Sequence, residues 1–172
     1  MLAEPMAMAR QLWLLRHADA EPHGTRADSD RMLTERGKRQ ARVAGHAFAQ
    51  AKVEFAAVLS SPKARARETA ELALAEMGDT PPGFELHEPL AGSFRAEQAL
   101  EAFADIGAEG SLLLVGHEPD LSNVVGELTG GRVDLKKGGV AVVKLGGGGG
   151  ELVALLRPVE LALIAGVVDF AV

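Results

Sequence analysis

Residues 12–22 read LWLLRHADAEP: four large apolar side chains run straight into an arginine and a histidine, with acids and a proline behind them. An apolar run without alternation is the pattern of a strand covered on both faces, as in a parallel sheet packed between helices. Arg16 and His17 are poor material for such a core. They make sense if the strand is a rigid stalk that delivers them to the rim of a sheet. Two other segments repeat the pattern. FAAVLSS (55–61) and SLLLVG (111–116) read as buried strands, and they run into SSPKARARETA and GHEPD.

Helical patterns lie between these strands. The stretch 34–52 can be capped by Thr34 and repeats Ala41, Ala44, Ala47 and Phe48 along one face. Pro62 marks the start of a helix that Gly78 stops, and 95–107 reads as another helix, ending at Gly107. FELHEPL (84–90) reads as a strand, and Pro119 suits the first turn of a helix within 117–131. Residues 139–145 and 151–159 pair as a hairpin across a flexible loop, Gly146–Gly150. A hairpin connection is preferred there to a phosphate-gripping loop, because Glu151 and a strand follow where Lys-Ser/Thr and a helix would be needed. The expected fold class is therefore α/β: a three-layer sandwich with a mostly parallel central sheet and helices on both faces. One domain is expected over 1–172, with residues 1–10 as an N-terminal extension.

Bulk composition narrows the function. A chain of 172 residues with 47% apolar and 24% charged residues is that of a globular protein with a sizeable core. A net charge of −6 argues against a general nucleic-acid binder. Cysteine is absent, so disulfides, thiol catalysis and thiolate metal sites are excluded. The apolar C-terminal segment 159–172 is bracketed by Glu160 and Asp169, too short a run for a membrane span, and reads as a buried terminal element. No membrane association and a cytoplasmic location are expected. The basic run ERGKRQAR (35–42) reads as the solvated face of its helix.

In open α/β sheets, ligands bind outside the carboxyl ends of parallel strands. If the three buried strands are parallel, Arg16, His17, Arg65 and His117 converge. Two guanidinium forks and two imidazoles would then share one spot, and the planar guanidinium is the side chain best matched to phosphate. Such a cluster would repel a cation, so no metal and no cofactor are expected. His46 reads as a surface or groove residue, His87 as a possible rim residue, and Arg67 as a solvated neighbour of Arg65.

In order along the chain, LLRHADAE, LTERG, LSSPKARARETA and LLVGHEPDLS resemble the motifs of the histidine phosphatase superfamily, with its phosphoglycerate mutase-like fold. The short chain, the RHA form of the first motif and DSDRMLTERG are similar to the SixA branch of phosphohistidine phosphatases. The resemblance implies that His17 is a nucleophile carrying a phosphoryl intermediate. It implies further that Arg16 and Arg65 hold the phosphoryl oxygens and that His117 hydrogen-bonds them from the other side. Arg31 occupies the position of an arginine that approaches the phosphate in that branch; pinning its loop through Asp28 or Asp30 is the alternative. Glu88 falls where the wider family places a proton donor, although the residues around it match poorly. The implied substrate is phosphohistidine on a protein, such as a histidine-containing phosphotransfer domain. A small phosphoester is the first alternative and a non-catalytic phosphoprotein-binding module the second.

Overall fold

The apolar run 12–15 lies at the centre of the computed structural model, which describes residues 10–107 and 110–168. The expected extension at 1–10 falls outside the described residues except for Arg10, as do the last four residues of the C-terminal apolar segment. The elements run β1 (Gln11–Arg16), α1 (Glu35–Gln50), β2 (Phe55–Ser60), α2 (Ala64–Ala75), β3 (Glu85–Leu86) and α3 (Ala96–Asp105). They continue β4 (Ser111–Gly116), α4 (Asp120–Thr129), β5 (Val140–Gly146), β6 (Gly149–Leu156) and α5 (Pro158–Ala165).

The sheet order is β3-β2-β4-β1-β5-β6. Strands β1 to β4 run parallel, β5 reverses direction, and β6 returns as its hairpin partner. The pleat explains why the central strands are apolar throughout. Trp13, Leu15, Leu113 and Val115 face one side and pack on α1, α2 and α5 through Phe48, Ala70 and Leu161. Leu12, Leu14, Leu112 and Leu114 face the other side and pack on α3 and α4 through Phe103, Leu121 and Val125. Both faces are covered, so neither parity of residue can be polar.

Thr34 caps α1 as expected, its hydroxyl accepting from the Gly37 N–H at 3.0 Å. The small residues of α1 let α2 approach closely. A Cβ on Gly45 would stand 1.9 Å from the Ala73 carbonyl oxygen. Ala normally gains about 1 kcal/mol over Gly inside a helix. Here the backbone of α2 blocks it, so Gly45→Ala is expected to destabilise the fold by about 2 kcal/mol. A shift of the urea midpoint to lower concentration, with the slope unchanged, is the measurement.

Four expectations are corrected. β2 is only partly buried, because β3 pairs with Leu59 and Ser60 alone and leaves the first half of β2 at an edge. The strand expected over 84–90 is two residues long; a 3-10 turn at Glu88–Ala91, with Pro89 in it, replaces the rest. The glycine run is no flexible loop: β5 and β6 pair up to Gly146 and Gly149, leaving two residues to turn. Within the C-terminal segment, α5 is buried on one side only. Leu161 and Ala162 enter the core while Leu163 is 74% exposed.

Candidate active site

Strand register builds the site. β1 and β4 pair with Arg16 opposite Gly116, and the His17 N–H donates to the Gly116 carbonyl at 3.0 Å. His17 and His117 are therefore the first residues past two adjacent parallel strands. Their ring centroids lie 5.2 Å apart. On the other flank of β4, β2 ends in the same way: the Ser61 N–H donates to the Val115 carbonyl at 2.9 Å. Ser61 Oγ then sits 2.7 Å from His117 Nε2 and holds that ring. Arg65 follows in the first turn of α2, nearly fully buried. The four residues named from the sequence as one cluster thus stand at the carboxyl rim of neighbouring strands.

Both histidines are neutral. Burial pushes His17 down to about 3 against the opposing pull of the Ala18 carbonyl, and His117, Arg65 and Arg16 push the same way. Burial, Arg65 and Lys63 lower His117 likewise to about 3. The tautomer of His17 follows from its partner. Nδ1 lies 2.8 Å from the Ala18 carbonyl oxygen, which can only accept, so the proton is on Nδ1 and the lone pair on Nε2.

Both arginines keep a donor in reserve. Arg16 gives Nη1 to the Leu135 carbonyl at 2.9 Å, and Arg65 gives Nη1 to the Asp28 carbonyl at 2.7 Å. The Nε of each is buried without a protein partner. A buried, unpaired guanidinium N–H is costly, and two of them beside two neutral imidazoles make a cup that an oxyanion would satisfy.

Arg31 meets Arg65 at the Asp28 carboxylate. Its Nε donates to Asp28 Oδ1 at 3.1 Å and its Nη1 to the Glu21 carbonyl at 2.6 Å, the loop-pinning arrangement. Asp28 is the hub of this corner: Arg31, Lys63 at 3.1 Å and Arg65 at 3.4 Å all reach its carboxylate. Against a burial cost that would raise it, these cations hold the Asp28 carboxyl well below the usual carboxylate range. Glu88 is exposed at the start of its 3-10 turn and forms no hydrogen bond or ion pair with the cluster. Arg67 is exposed, and His46 pairs with Glu76 at 3.2 Å on the surface. The His87 ring packs edge-on against Phe94.

Sequence reasoning passed over Ser61 and Lys63, and it gave Asp28 only as a possible partner of Arg31. The signal for Ser61 was available, since it follows its strand just as His17 and His117 follow theirs. Asp28 reaches Arg65 across 37 residues of sequence, and no local pattern reports that contact.

The sequence profile of the histidine phosphatase superfamily (branch 1) matches residues 12–91, the segment that carries Arg16, His17 and Arg65. The solved structure of the protein histidine phosphatase SixA complexed with tungstate superposes with a TM-score of 0.77 at 28% identity, covering 88% of this chain and 99% of that one. The chain belongs to the histidine phosphatase superfamily. An uncharacterised protein of Picosynechococcus sp. is 34% identical over 142 residues, 79% of this chain and 86% of its own length. The alpha-ribazole phosphatase of Shigella flexneri shares the fold, with a TM-score of 0.68 at 20% identity over 86% of this chain and 96% of that one. The likeness to SixA extends over the C-terminal half that the profile leaves out.

Proposed function

We propose that this superfamily member is a phosphatase that hydrolyses phosphohistidine on a protein, with His17 as the nucleophile. The observation that carries the chemistry is the neutral His17 ring, with Nδ1–H tied to a carbonyl and Nε2 left with its lone pair. Nε2 attacks phosphorus as the bond from phosphorus to the substrate's imidazole nitrogen breaks, and that imidazole takes a proton from water. Arg16 and Arg65 hold the phosphoryl oxygens through the transfer, with His117 on the opposite side. Water then attacks phospho-His17 and gives a proton to the hydroxide left by the first step; the P–N bond breaks, hydrogen phosphate leaves, and the lone pair returns to Nε2.

The choice of substrate has two supports beyond the likeness to SixA. A leaving alkoxide needs an acid, and three of the carboxylates around the cup, Asp28, Asp19 and Glu118, are committed to other partners. Asp28 is held ionised by its cations. Asp19 accepts from the Thr34 hydroxyl at 2.8 Å and from Lys137 at 3.2 Å. Glu118 accepts from the N–H and hydroxyl of Ser122. A phosphorylated imidazole needs no such donor. In addition, residues 76–95, between α2 and α3, fold as one two-residue strand and one 3-10 turn, which supports an open mouth for a protein side chain.

Turnover should be compared on a phosphohistidine-bearing phosphotransfer domain, on p-nitrophenyl phosphate and on sugar phosphates. The protein substrate is expected to give the highest kcat/KM. Efficient turnover of small esters alone, with the phosphoprotein left intact, overturns this reading in favour of a small-molecule phosphatase.

Asp28 is assigned here as the positioning residue of Arg65 and Arg31. Asp28→Asn keeps the volume and removes the charge that gathers three cations, and kcat/KM is expected to fall about tenfold. A rise instead would mark the carboxylate as a competitor of the phosphoryl group for Arg65.

A further inference from the structure

A cavity of about 510 Å3 lies beside the cup, between the end of β1, the start of α1, residues 136–137 and the start of α5. Arg16, Arg36, Lys136, Lys137 and Arg157 line it, and Asp19 is the one acid lining it among the described residues. This concentration of cations belongs to a chain of net charge −6. Three of the five have acidic partners, Lys137 with Asp19, Lys136 with Asp134 and Arg157 with Glu160. Arg16 and Arg36 have no carboxylate partner among the described residues, which leaves the cavity with an excess of positive charge. The positive ends of the α1 and α5 dipoles add to it.

A second cavity carries the other sign and meets the first where Asp134 pairs with Lys136. This cavity, of about 870 Å3, is lined by Glu118, Asp120, Glu127 and Asp134 against Arg95 and Arg132. A substrate approaching the cup therefore meets a cationic side and an acidic side, a layout that fixes orientation as well as raising the encounter rate. Arg16 borders both the cup and the basic cavity, so the two are adjacent along a single guanidinium.

We infer that the basic cavity receives a second anionic group, carboxylate or phosphate, borne by the same molecule whose phosphoryl group enters the cup. The inference deepens the proposed function and rests on it for the phosphoryl chemistry. For a protein substrate the second group is an Asp or Glu side chain near the phosphohistidine.

The test uses two substrate pairs at low ionic strength. One pair is a phosphohistidine peptide flanked by Asp and Glu and the same peptide flanked by Asn and Gln. The other is p-nitrophenyl phosphate and the same ester bearing an added carboxylate. The quantity read is the ratio of kcat/KM, anionic over neutral, for the full chain and for Arg36→Gln/Lys136→Gln. The native ratio is expected to be about ten, falling to about two or less in the double variant and as salt is added. A preference in the peptide pair supports both the subsite and the protein substrate. A preference in the ester pair alone supports the subsite while overturning the protein substrate. A native ratio near one in both pairs, or a ratio that the double substitution leaves unchanged, overturns the subsite.

Discussion

His17→Ala is expected to lower kcat/KM by about a thousandfold or more on every phosphorylated substrate the protein turns over. The substitution removes the attacking atom and leaves Arg16, Arg65 and His117 to bind the phosphoryl group without transferring it. Rapid-quench labelling separates this from a general loss of fold. The native chain should trap a phosphoenzyme, labile in acid and stable in alkali, and the variant should trap none. The variant's retained affinity for inorganic phosphate, measured by calorimetry, checks that the cup survives. Absence of turnover in the native chain, with phosphate bound equally by both, would make the protein a binding module and end the assignment.

The same histidine fixes the pH dependence. An ordinary imidazole would be protonated over most of the range below its usual 6.5. His17 titrates near 3 in the folded chain, so with a substrate that does not itself titrate there, kcat/KM should stay flat from pH 8 to about 5. Stability behaves differently. Both histidines have folded values near 3, below those of the unfolded chain, so between about 6.5 and 3 the unfolded state binds more protons. Their contribution is complete above 6.5 and is lost as pH falls through that window. A chemical-denaturation series from pH 7 to pH 4 should show falling stability, less steeply in His117→Gln.

β1 and β4 were legible because burial on both faces forces an unbroken apolar run, whereas β2 carries the same kind of run although it is only partly buried. The cluster was legible for a related reason. Residues that cannot belong to a core, placed directly after a core strand, must stand at its rim, and this located Arg16, His17 and His117. Arg65 came from a helix start after the neighbouring strand. The hub at Asp28 was not legible, since it joins a loop to α2 through tertiary contacts. β3 misled because Leu86 and Leu90 give an apolar pattern that serves two different elements: Leu86 is exposed, and Leu90 is buried under the 3-10 turn. In α5 only Leu161 and Ala162 reach the core, and Leu163 and Ile164 remain outside although the run is equally apolar.

Arg65→Lys tests whether the cup works by charge or by geometry. The ammonium preserves the charge, yet it cannot hold the Asp28 carbonyl and carboxylate while also keeping a buried N–H unpaired, as the guanidinium does, for the phosphoryl group of the proposed reaction. Lysine is therefore expected to lose about a hundredfold in kcat, and Arg65→Ala about a thousandfold. A lysine variant close to native activity would reduce the site to a point-charge cup. The double variant with Asp28→Asn discriminates further. If Asp28 acts by orienting Arg65, its tenfold cost vanishes once lysine is present, and the two effects are less than additive. Additive losses would mean that Asp28 reaches the phosphoryl group by another route, with Arg31 or Lys63 as its instrument.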